Sequence, residues 1–92
     1  MMEPGPAREV RRFLITALQR FGEAEFLLEN HYTTASVYLA GYSVECMLKA
    51  LILSSEVSSR HPATLESFRG AKAHHFEWLK EELSRRKVIL PP

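Results

Sequence analysis

With 92 residues, 46% of them hydrophobic and 25% charged, the chain has length for one domain only, and folding would hide just about 60–65% of the surface its unfolded form exposes. A formal net charge of +1 excludes a general nucleic-acid binder working by bulk charge and leaves room only for a local basic patch. Cys46 is the single cysteine, which excludes an internal disulfide and suits a reducing, cytoplasmic setting.

Residues 1–7 read as a flexible lead-in, and MMEPGPAREV has no apolar run of the signal-peptide kind. A first helix is predicted from about Pro6, a residue suited to a first turn, to Asn30. Val10, Leu14, Ala17, Phe21, Ala24 and Leu28 alternate in steps of four and three and form its expected apolar seam. Gly22 lies off that seam, where a close neighbour is the expected reason for it. The stretch ENHYTT breaks the pattern, with Thr33 or Thr34 as N-cap of a second helix reaching Ser54.

That second helix is apolar on nearly every side yet carries Glu45 and Lys49 one turn apart. On a helical wheel Tyr38, Gly41, Tyr42, Leu48 and Ile52 surround Glu45, while small Ser36, Ala40 and Ser43 lie opposite. With no broad charged face, the helix must be covered on two sides. The first helix covers one, and Ser36, Ala40 and Ser43 are the expected dimer interface on the other, unless a further helix takes it. The longest apolar run, Cys46 to Leu53, is interrupted by Lys49 and far short of the roughly 20 residues of a membrane span, so a soluble protein is expected.

SEVSSRHPATLESFRGAKA follows, rich in turn formers, with a short helix expected from Pro62 to Phe68. A third main helix is predicted from His74 to Lys87 on the seam Phe76, Leu79 and Leu83, its acidic start and basic end matching the helix dipole. The ending VILPP reads as a connection towards another helix, so residues 8–92 are taken as one domain lacking a C-terminal helix.

This succession resembles the HEPN domain family over residues 8–83. The most recognisable part runs from Ala40 to Leu51, AGYSVECMLKAL, and a second is His74 followed by Phe76 and Leu79. The resemblance implies an all-α antiparallel bundle, usually a homodimer, in a cytoplasmic prokaryotic protein. It also implies an association with a small nucleotidyltransferase in toxin–antitoxin or defence systems, or nucleotide binding. One branch of the family consists of metal-independent ribonucleases with an Arg and a His four to six residues apart near the start of the last helix. Arg69 and His74 have that spacing and are the candidate catalytic pair, although they fall in the loop entering the third main helix.

Read from the residues themselves, Glu45 and Lys49 form an i,i+4 pair in the favourable orientation. Buried, they would be a polar lock aided by the Tyr38 and Tyr42 hydroxyls; facing a ligand, Lys49 would meet a phosphate. In an up-down-up bundle one end would gather Arg8, Arg11, Arg12, Lys72 and His75 as a candidate site for a nucleotide or RNA phosphate, with Arg60, Arg69, His61 and His74 alongside. At the opposite end Glu23, Glu25 and Glu29 would match Arg85, Arg86 and Lys87. His74 and His75 point about 100° apart on a helix, so no metal site and no cofactor are expected. Phe68, Phe76 and Trp78 read first as core and second as stacking surfaces for bases.

The expected function is a dimeric, non-catalytic module binding a nucleotide, RNA or a nucleotidyltransferase partner. A ribonuclease toxin is the alternative, and a dimerisation scaffold the second alternative.

Overall fold

The computed structural model describes residues 8–70 and 74–87. It is all-α: helices α1 (Arg8–Glu29), α2 (Thr33–Ser54), α3 (His61–Ser67) and α4 (Phe76–Arg85), with a 3-10 turn Ser58–Arg60 before α3 and no strand among the described residues. The expected lead-in, Lys72 and the VILPP ending lie outside the described residues.

α1 and α2 form a long antiparallel hairpin. The reversal takes three residues because His31 adopts φ 68°, letting Tyr32 N–H bond the Leu27 carbonyl at 2.8 Å and His31 N–H that of Leu28 at 3.1 Å. This is the left-handed helix stop usually made by glycine, and it satisfies the last carbonyls of α1. Thr33 and Thr34 fall inside α2 rather than capping it; Tyr32 holds the cap position without a side-chain bond.

The hairpin seam differs from the expected one. Its buried line on α1 is Val10, Ala17 and Ala24, one residue every seven, whereas Phe21 and Leu28 are more than half exposed. On α2 the matching line is Ser36, Ser43 and Ala50, also every seven and all buried. The Ser36 hydroxyl donates to the Ala24 carbonyl at 2.7 Å and the Ser43 hydroxyl to that of Ala17 at 2.6 Å; the same register sets Ala50 against Val10. Small side chains win this position because they let two backbones approach until a serine reaches a carbonyl of the neighbouring helix. Ser36 and Ser43 therefore serve the hairpin itself, a correction to their expected place on a dimer interface, and Ala40 sits half-buried beside them. Gly22 has nothing within 4 Å of where a Cβ would stand, and nothing in the structure explains it.

The second correction concerns α4. It runs parallel to α2: His74 and Phe76 lie beside Glu45 and Gly41 at mid-helix, and Arg86 reaches Glu56 just past the end of α2. α3 doubles back between them, with His61 Nε2–H donating to the Leu53 carbonyl at 2.7 Å. Ile52, Leu53, Leu79 and Leu83 close the core at 0% exposure, and Phe13 meets Phe68 edge-on at 5.9 Å. The basic end of α4 is consequently paired with Glu56 and Glu82, not with the acidic residues of α1. α2 is long and apolar enough to cross a membrane by length and composition, and 44% of that stretch is buried inside the domain.

Candidate functional site

Glu45 and Lys49 are buried at 8% and 6% exposure. Lys49 Nζ donates to Glu45 Oε2 at 2.8 Å and stands 5.6 Å from the centre of the Phe68 ring. The third partner is His74, whose Nδ1 lies 3.0 Å from the same carboxylate oxygen. Tyr38 and Tyr42, the expected helpers, are instead 82% and 44% exposed. The lock therefore ties the segment entering α4 to the middle of α2.

Burial by itself would raise the Glu45 carboxyl, but the hydrogen bonds from Lys49 and His74 outweigh it and hold the group below its ordinary value of 4.5. Glu56 behaves alike: burial raises it, and bonds from Thr64 and Arg86 bring it lower. A carboxylate with a depressed folded-state pKa contributes stability that is present above the unfolded pKa and lost as pH falls through the folded one. Urea midpoints should accordingly hold steady down to about pH 5 and fall steeply below 4.5, with a shallower fall in Glu56→Gln. Equal acid slopes for the wild type and this variant would refute the assignment.

Tyr42 divides two clefts. The first, about 430 Å³, opens between α1 and α3 and brings Arg12, Thr16, Tyr42, Cys46 and Arg69 together, with Glu9 at the same rim. Arg12 projects from the second turn of α1, whereas Arg69 follows the end of α3 and leans on Glu66 at 3.6 Å. Burial pushes the Cys46 thiol up, so it stays protonated and is no nucleophile. The Tyr42 hydroxyl is raised chiefly by neighbouring Cys46 and secondly by burial, which keeps it a donor. The second cleft, about 460 Å³, lies on the α4 side and is lined by Tyr38, Gly41, Tyr42, Glu45, His74 and Phe76.

Among the expected site residues, Arg8, Arg11 and Arg12 stand exposed on the first two turns of α1 and form no salt bridge among the described residues. Arg12 alone of the three lines a cleft together with Arg69. His75 precedes α4 near mid-hairpin, so it does not join Arg8 at one end; the parallel course of α4 carries it away. Arg69 and His74, the expected catalytic pair, line different clefts and pair with different carboxylates, Glu66 and Glu45. No group of three or more metal-ligating side chains forms among the described residues.

The pairing of Glu45 with His74, 29 residues apart, was not foreseen from the sequence. The one available signal was a buried acid with a single cation four residues away and lone pairs to spare. Compared with known proteins, the chain matches the family model described as the HEPN domain over residues 10–88. No curated protein and no solved structure matches.

Proposed function

The chain belongs to the HEPN domain family, whose members often occur in toxin and defence systems, and from that premise we propose that it is a non-catalytic, homodimeric module that binds an RNA or nucleotide phosphate in the Arg12–Arg69 cleft. The observation that carries this reading is that two arginines from separate elements, Arg12 and Arg69, line one opening. Arginine suits phosphate because its fork of donors matches phosphate oxygens in pairs. Thr16 and Tyr42 add hydroxyls, and Arg8 and Arg11 extend the positive strip along α1. Glu9 offsets one charge, which favours a single phosphate group over a long polyanion. A cytoplasmic setting beside a nucleotidyltransferase partner completes the proposal.

A non-catalytic role is supported by Arg69 and His74 lining different clefts and pairing with different carboxylates. The dimer is supported by an apolar flank of the hairpin. Leu18, Phe21 and Leu28 of α1 and Val37 and Val44 of α2 are each about half exposed or more. Their heptad positions place all five on the same side of the Ala17–Ser43 line, and Val37 also borders the cleft that holds His74 and Phe76. A second copy is the occupant proposed for this surface.

The function is tested by fluorescence polarisation with a labelled short single-stranded RNA and a fluorescent nucleoside triphosphate. Binding should weaken as salt rises, fall about tenfold in Arg12→Ala or Arg69→Ala, and leave the RNA intact on a gel. Absence of binding to either probe at low salt, or cleavage of the RNA, would refute the reading.

A further inference from the structure

The cleft on the α4 side of Tyr42 is built differently from its neighbour. Its polar floor is the buried Glu45 carboxylate, neutralised by Lys49 at 2.8 Å and bonded to His74 Nδ1 at 3.0 Å. A histidine ring has two nitrogens, and Glu45 occupies one of them. The carboxylate therefore fixes the tautomer, holds the ring in one orientation and leaves Nε2 as the nitrogen open to a ligand. The ring is accessible, its side chain being 62% exposed.

Around this held imidazole stand three aromatic rings, Tyr38, Tyr42 and Phe76, at 82%, 44% and 43% exposure. Gly41 lies among them, where a Cβ would stand 4.0 Å from the Phe76 ring, so the ring rests over a position that carries no side chain of its own. Exposed aromatic faces beside one oriented hydrogen-bonding atom suit a flat heteroaromatic ring, which stacks by its face and is read along its edge. Its volume, about 460 Å³, is within the range of small-molecule sites.

We propose that this cleft is a nucleobase subsite in which Tyr38 and Phe76 offer stacking faces and Nε2 of His74 bonds the base edge. Glu45 is its positioning residue. Tyr42 is the wall shared with the Arg12–Arg69 cleft, so one nucleotide unit crossing it places its base on the His74 side and its phosphate on the arginine side. The proposal rests on the phosphate-binding reading above and adds to it a means of holding bases.

NMR titration separates the two. Adenosine or cytidine, which carry no phosphate, should shift the ring signals of His74, Tyr38 and Phe76 and leave those of Arg12 and Arg69 in place. Inorganic phosphate should do the reverse. Tyr38→Ala, at a site too exposed to matter for folding, should weaken short-RNA binding at least about fivefold with an unchanged melting temperature; His74→Ala should weaken it as well. If RNA still moves Arg12 and Arg69 while nucleosides move none of the three rings, the base subsite is overturned and the phosphate reading stands. If neither RNA nor phosphate moves the arginines, the underlying reading fails; nucleoside shifts in the rings would then support the subsite alone, and unmoved rings would overturn it too.

Discussion

Lys49→Ala should lower the unfolding free energy by about 3–5 kcal/mol, the cost of removing one partner from a buried ion pair. The magnitude follows from burial: the Lys49 and Glu45 side chains are only 7% and 11% exposed, so without the ammonium the carboxylate keeps His74 alone and cannot recover full hydration. The lysine stem and its position over Phe68 are lost as well. Against the total stability of about 5–15 kcal/mol usual for a domain, that is a large share. Urea denaturation at neutral pH measures it. The paired replacement Glu45→Leu with Lys49→Met should recover most of the loss, because an apolar pair of similar volume removes the stranded charge. A loss under about 1 kcal/mol for Lys49→Ala would mean that the pair behaves as a solvated surface bridge.

Val44→Glu should turn a dimer into a monomer at micromolar concentration. Light scattering should give twice the chain mass for the wild type and one chain mass for the variant, with helical circular dichroism retained. Val44 is 49% exposed, one residue past the buried Ser43, on the flank it shares with Leu18 and Phe21. A symmetric interface repeats every substitution, so two unpaired carboxylates would enter an apolar surface at once. A rise in the dissociation constant of roughly a hundredfold or more is expected. Val57→Glu, on the loop after α2 and well away from the flank, should leave the dimer intact. A monomeric wild type would refute the second copy as occupant of this surface.

The two halves of the proposed ligand site stand differently towards the sequence. Arg12 and Arg69 were candidates by residue type, yet nothing local said that they share an opening, because that depends on α3 folding back against α1. His74 was a candidate for its spacing from Arg69; the structure gives it Glu45 instead. Tyr38 and Tyr42 were expected as hydroxyl donors to a buried pair and prove to be exposed rings lining clefts.

By itself the sequence determined what depends on near neighbours. The end of α2 at Ser54, the short α3, the Leu79–Leu83 seam and the i,i+4 Glu45–Lys49 pair could all be read from it, because helix propensity and turn-to-turn spacing act within a few residues. The family pattern from Ala40 to Leu51 belongs to the same local level. Only the tertiary structure decided which faces meet and in which direction α4 runs. Ser36 and Ser43 look alike to a wheel whether they meet α1 or a second chain, and the choice fell to how closely two backbones can approach. The direction of α4 is set by burial of Leu79 and Leu83 and by the reach of Arg86 to Glu56, contacts that act over about 30 residues of chain. Contacts at that separation carry no periodic signature, so the His74–Glu45 bond, and with it the floor of the second cleft, exists only once the chain has folded.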